Sequence, residues 1–372
     1  MSQKQILLVI VGALIIGAIF YIQSQKPGMV EENSENETQI LSVNKEEKSK
    51  KYEPAKEISS PDGFINTGKI TIGEFIGKKI VLVDFWTYSC INCQRTFPYL
   101  NAWYEKYQDK GLVIIGIHTP EFQFEHKYEN VLQAVKKFGI KYPVVLDNDY
   151  STWTAYKNRY WPRKYLIDID GFIVYDHIGE GGYAETEQKI QELLEERLAM
   201  LGSKEEINQK IGVPRDVSEI SFRQIESPEI YFGASRNEFL GNGTIGAIGK
   251  QSLETPKEIQ LNTLYLAGDW DFQSEFVENQ STNAKIIFRY KAKDVYFVAS
   301  APQATKIKIL RDGKTLEAKF KGADITISGG ESFGTIKEDR LYKIIEDQTY
   351  GEHTLEIIIE NPGLKAFTFT FG

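Results

Sequence analysis

Cysteine is the scarcest informative residue here: the 372-residue chain has two, Cys90 and Cys93, and they form a single C-x-x-C. With no third cysteine a disulfide framework is excluded, and no other thiol competes for either sulfur. Histidine is nearly as scarce. His118, His126, His177 and His353 stand singly, with no H-x-x-x-H spacing, so a four-ligand structural zinc would have to be completed across a dimer. Gln94 follows Cys93 where covalent haem attachment needs histidine. Positive charge is short as well: a net charge of −8 argues against a nucleic-acid partner. No Gly-rich phosphate loop and no paired-carboxylate motif is present, and no cofactor or metal is expected. What remains for the C-x-x-C is a redox dithiol.

Its setting favours that chemistry. Ile80-Val81-Leu82-Val83-Asp84-Phe85-Trp86 is a short, apolar, β-branched run of the kind buried in a parallel sheet, and the stretch from Cys93 to about Gln108 reads as a helix. The cysteines therefore fall where a strand hands over to a helix N-terminus. Unpaired N–H groups and the positive end of the helix dipole stabilise a thiolate there, so the Cys90 pKa is expected below the free value of about 8.5. Cys90 becomes the attacking sulfur. Cys93, one turn along and more buried, becomes the resolving one.

Downstream, Leu112 to Ile117 reads as a second buried strand, His118 to Phe122 as a loop, and Tyr128 to Phe138 as a helix with Val131, Leu132, Val135 and Phe138 on one face. Trp161-Pro162 then leads into a strand, turn and strand between Lys164 and Val174. A loop glutamate, Glu121, and the strand-end His118 are candidate proton carriers, each with a surface or packing role as its alternative.

The chain opens with an apolar run from Ile6 to Ile22, seventeen residues, or about 25 Å of helix, which nearly spans a bilayer core. Lys4 precedes it and Glu31, Glu32, Glu35 and Glu37 follow, so the N-terminus is expected in the cytoplasm and the rest outside. A cleaved signal peptide is the rival reading, disfavoured by the length of the run and the lack of a small-residue cleavage site. The expected organisation is an anchor over 1–23, a polar disordered tether over 24–57, an α/β domain over 58–200, a linker over 201–221 and an all-β sandwich of jelly-roll type over 222–372. Short period-two runs support the last: Ile259 to Leu266, Ala284 to Tyr290, Val295 to Ala299, Lys306 to Leu310, Ile325 to Ser328, Leu341 to Ile345, Thr354 to Ile359 and Ala366 to Phe371, parted by turn residues.

Asp84-Phe85-Trp86, Cys90-x-x-Cys93 and Pro98 together resemble the thioredoxin superfamily. The longer stretch Phe85 to Tyr104 is most similar to its extracytoplasmic TlpA/ResA group, and within that to the thioredoxin-like part of DipZ-type thiol:disulfide interchange proteins. Ser227 to Gly233, Leu266 to Trp270 and Ala366 to Gly372 resemble the carbohydrate-module-like domain that follows it in those proteins. The resemblance implies a thioredoxin fold, with Asp84 taking a proton from Cys93 and Glu121 near the dithiol. It also implies a cis Pro162 beside the dithiol, with Trp86, Tyr88, Trp161 and Pro162 forming the substrate wall. DipZ-type proteins carry a multi-helix electron-transporting membrane domain, whereas a single helix is expected here. A membrane electron donor of the CcdA or DsbD kind would then be needed, and the substrates implied are disulfide-containing exported proteins. Disulfide donation by the same residues, or a surface glycan-binding protein with an idle thioredoxin fold, remain the alternatives. Trp270, Phe272 and Phe276 are the rings a sugar would stack on, with core packing as their other role.

Overall fold

The computed structural model describes residues 45–214, 217 and 224–372. Residues 45–51 are helical and belong to a unit separate from the compact body that runs from Glu53 to Gly372. The expected anchor at 1–23 lies outside the described residues, as do 24–44 of the tether and most of 215–221. Among the described residues no helix is long and apolar enough to cross a membrane.

The first part of the body is a six-stranded mixed sheet in the order β1-β4-β3-β2-β5-β6. The strands are β1 (Gly63–Ile65), β2 (Ile80–Trp86), β3 (Leu112–His118), β4 (Val144–Leu146), β5 (Arg163–Ile167) and β6 (Ile173–Ile178). β2 pairs in parallel with β3 and β3 with β4, while β5 joins β2 antiparallel. Every residue of β2 and β3 is buried, which is why both read as continuous apolar runs: helices cover the two faces of a parallel core. The period of two sorts β2 cleanly. Ile80, Leu82 and Trp86 enter one core with Cys93, Phe97, Leu100 and Trp103, while Val81, Val83 and Phe85 enter the other with Tyr156 and Tyr165. Asp84 shares the parity of Leu82 and Trp86, so the sheet aims its carboxyl toward the cysteine helix. The helices are α1 (Ile91–Tyr107), α2 (Tyr128–Lys137), α3 (Ser151–Ala155) and α4 (Tyr183–Met200).

Two stretches expected to be linker are built into this part. Pro54 bridges to Phe172, Ala55 N–H donates to Gly171 O at 2.9 Å, and the Glu57 carboxylate accepts from Ile72 N–H at 2.6 Å and Gly73 N–H at 3.0 Å. Beyond α4, Ile207 is buried in the core and Gly212 N–H donates to Glu187 at 2.9 Å. A few apolar and hydrogen-bonding side chains suffice to order polar sequence when a formed surface accepts them.

The second part is β-rich: eleven strands, β7 to β17 in chain order, from Ile230 to Phe371 in one antiparallel hydrogen-bonded network. Two strands are much longer than their sequence runs. β11 (Ala284–Ser300) unites the two runs expected at 284–290 and 295–299, and β16 (Arg340–Ile359) unites those at 341–345 and 354–359. They pair with each other on both sides of a break at Lys293 and residues 347–350, with register shifts between Ala292 and Asp294 and between Val295 and Tyr296. A bulge bends a strand without ending it, so the polar interruptions are bends rather than turns. Trp270 and Phe272 are wholly buried in this part's core and present no ring face to a sugar, and the half-buried Phe276 packs on Phe367 at 5.2 Å with the Lys365 ammonium 4.9 Å from its ring centre.

Each part has a buried cluster of its own, and a third is shared between them. Tyr231, Tyr296, Val298, Leu341 and Phe367 of the β-rich part belong to the same buried cluster as Trp86, Cys93 and Phe97. Phe122 and Phe124, on the loop after β3, meet Phe367 at 5.1 and 4.8 Å in edge-to-face contacts, the favoured aromatic geometry.

Candidate active site

The site is assembled at the start of α1. Cys90 is the N-cap, in extended conformation, and its Sγ accepts from the Cys93 N–H at 3.4 Å, so the sulfur sits on the unpaired donors of the first turn. Cys90 is half-buried while Cys93 has no exposed surface, and the two are free thiols. Burial pushes the Cys93 thiol well up, and the neighbouring Cys90 and Asp84 add to the rise. Cys93 therefore holds its proton until a base removes it.

Asp84 is wholly buried, and neither of its oxygens has a hydrogen-bond partner. Burial raises its pKa to about 7, with Lys164 opposing the rise. Lys164, which sequence reasoning passed over as an ordinary strand lysine, is its direct neighbour on β5 and is almost fully buried. Burial lowers the Lys164 pKa while Asp84 and Cys93 raise it. The only sequence signal was its place two residues after Pro162. Gly116 on β3 completes the floor: a Cβ there would lie 2.7 Å from Trp86 Nε1 and 3.1 Å from Tyr142.

The Trp161–Pro162 peptide is cis, and the Trp161 carbonyl faces Cys90 Sγ at 3.9 Å. The Trp161 indole N–H donates to Thr119 O at 3.0 Å. Trp161 and Pro162 thus stand beside the half-buried Cys90 sulfur.

Three expectations change. Trp86 is wholly buried against Phe97 and His118, so it supports the dithiol helix from beneath and cannot touch a substrate. Tyr88 is also buried, stacked on His118 at 5.8 Å with its hydroxyl donating to Asp339 O at 3.2 Å, so its ring is held by the β-rich part. Glu121 turns away from the cysteines: its carboxylate accepts from Tyr231 Oη at 2.9 Å and from Arg236 at 2.8 Å. Burial, then Glu229, raises its pKa to about 7, but it binds the β-rich part instead of serving Cys93. The glutamate that does reach the dithiol loop is Glu125, wholly buried and bonded to Ser89. His118 is buried and burial depresses its pKa to about 3, which leaves it neutral.

Residues 52–194 match the Redoxin family, and residues 227–372 match a family described as the thioredoxin-like C-terminal domain. Protein DipZ of Mycobacterium tuberculosis is 35% identical over 294 residues, 79% of this chain and 39% of that protein. Thiol-disulfide oxidoreductase ResA of Bacillus cereus is 32% identical over 125 residues, 34% of this chain and 69% of that one. The chain belongs to the thioredoxin superfamily. A solution structure of a thioredoxin-like protein in the oxidised form covers 39% of this chain and 97% of its own, at 27% identity and a TM-score of 0.37. The thioredoxin-like match ends within α4, and the second match takes in the β-rich part, so the DipZ similarity runs across both. The chain spans 39% of the length of DipZ.

Proposed function

We propose that the protein is a membrane-anchored, extracytoplasmic thiol-disulfide oxidoreductase that reduces disulfides of exported proteins. The observation that carries this reading is Cys90 capping α1 with Cys93 buried behind it on the face where Asp84 lies. The Cys90 thiolate displaces one sulfur of a target disulfide, giving a mixed disulfide and one target thiol. Cys93, losing its proton to Asp84, then displaces the second target sulfur. The products are a Cys90–Cys93 disulfide and a target with two thiols, so one electron pair has moved.

In this reading Trp161 and Pro162 offer the backbone beside which the target strand lies. The apolar run at 6–22 supports the anchor and the acidic segment after it supports the outward orientation. A dithiol that has given up its electron pair must be reduced again before it can act a second time, and a CcdA- or DsbD-like thiol relay is the donor this reading calls for. We read the bent β-rich network as a jelly roll, with the bulged β11 and β16 passing between its layers.

Insulin reduction by the detergent-solubilised full chain tests the activity: wild type should turn over, and Cys90→Ser should abolish it. A wild-type protein that reduces nothing, or whose pair is found oxidised in cells, would overturn the reductase reading.

A further inference from the structure

Glu125 is a wholly buried carboxylate that the exchange steps do not use. It lies on the short 3-10 turn Gln123–His126, and donors from two loops occupy both of its oxygens. Oε1 accepts from the Ser89 backbone N–H at 3.1 Å and the Ser89 hydroxyl at 2.6 Å. Oε2 accepts from the Glu121 N–H at 2.6 Å and the Phe122 N–H at 3.0 Å. Three of these four partners are backbone N–H groups, which only donate, so the pocket selects the ionised, acceptor-only form of the carboxyl. Burial pushes its pKa up, and the bonds from Ser89, Thr87, Glu121 and Phe122 pull it back.

Ser89 immediately precedes the cap residue Cys90. A negative charge removed from water is therefore bonded to the residue adjoining the reactive sulfur, where the low effective dielectric leaves charge interactions poorly screened. An anion so placed disfavours a second anion on Cys90 and hence the reduced, thiolate-bearing state. The same carboxylate ties the Cys90 loop to the Glu121 loop, which Tyr231 and Arg236 of the β-rich part grip from the other side.

We propose that Glu125 is a positioning residue that fixes the loop ahead of Cys90 and, as a buried anion, keeps the Cys90–Cys93 pair more reducing than its helix cap alone would make it. The inference rests on Cys90 and Cys93 being the exchanging pair.

The test is the redox equilibrium of the full chain in glutathione buffers at about pH 7, where one glutathione disulfide becomes two glutathiones as the dithiol closes. Thiol blocking and mass spectrometry read the reduced fraction. Glu125→Gln keeps the size and removes the charge, and should shift the equilibrium about tenfold toward the reduced dithiol. Glu125→Asp, which keeps the charge, should stay within about twofold of wild type. If Glu125→Gln does not fold, Ser89→Ala serves: losing one donor raises the carboxyl's proton affinity and thins its charge, so a shift of at least about twofold in the same direction is expected. A folded Glu125→Gln within about twofold of wild type, or, where that variant does not fold, a Ser89→Ala that is unchanged or moves toward the disulfide, overturns the proposal. A wild-type dithiol that never exchanges with glutathione overturns the functional reading, and the inference with it.

Discussion

Asp84 on β2 stands directly opposite Lys164 on β5, both buried, yet the lysine ammonium donates to Gly179 O at 3.1 Å and the carboxylate oxygens have no hydrogen-bond partner. Their opposition is electrostatic rather than a closed ion pair. Each keeps the other's charged form within reach in a site that burial would otherwise neutralise.

Stability should report this directly. Asp84 titrates near 3.8 when unfolded and at about 7 when folded. Between those values the native state holds a proton that the unfolded state has lost, so stability is full below the window and falls as pH rises through it. The loss amounts to about 4 kcal/mol. Denaturant titrations from about pH 4 to about pH 8 should show wild type declining relative to Asp84→Asn, which has no such proton. Parallel profiles would show that Asp84 ionises as an ordinary surface acid.

The same group should set the resolving step. Release of the target from the mixed disulfide should quicken through about pH 7 in wild type, and Asp84→Asn should be about a hundredfold slower with that inflection gone. Rapid-quench measurement on a preformed mixed disulfide reads both.

The two thiols should differ in access. Cys93 has no exposed surface whereas Cys90 is half-buried at the helix cap, so iodoacetamide at about pH 6 should modify Cys90 and spare Cys93 until the protein unfolds. Peptide mapping of the first modified site decides it; label on Cys93 first would reverse the two roles.

Gly116 should tolerate no side chain. A Cβ 2.7 Å from the Trp86 indole would press on a wholly buried ring that has nowhere to move. Gly116→Ala should cost about 1–3 kcal/mol in chemical denaturation.

Much of this site was legible in the sequence, and the reasons are specific. β2 and β3 declare themselves by unbroken apolar runs, whereas the place of Asp84 beside Cys93 follows only from the resemblance to the thioredoxin superfamily. The helix after Cys90 followed from the same strand-to-helix handover. Glu125 was not legible, because Glu121 and Glu125 sit four apart in one loop with nothing in composition to rank them; the 3-10 turn decides which carboxyl meets Ser89. Lys164 was missed because a strand lysine normally faces water. Trp86 and Tyr88 were given to the substrate because position beside the cysteines says nothing about depth. In the β-rich part, the polar residues Lys291, Lys293 and Asp294 resembled a turn, whereas bulges carry β11 straight through them.

Phe367→Ala should destabilise the whole body by about 3–5 kcal/mol, since its ring meets Phe122, Phe124 and Phe276. Far-UV circular dichroism and the fluorescence of the buried tryptophans should lose their native signals in one transition. Two separated transitions would mean the parts unfold independently.

That aromatic seam also governs how such a chain can be recombined. A catalytic half cut free at the end of α4 would carry Tyr88, Phe122 and Phe124 on a newly wetted flank, a sticky patch inviting self-association. Any graft of the dithiol half onto another partner must therefore either bring its β-rich companion along or repaint those positions with polar side chains.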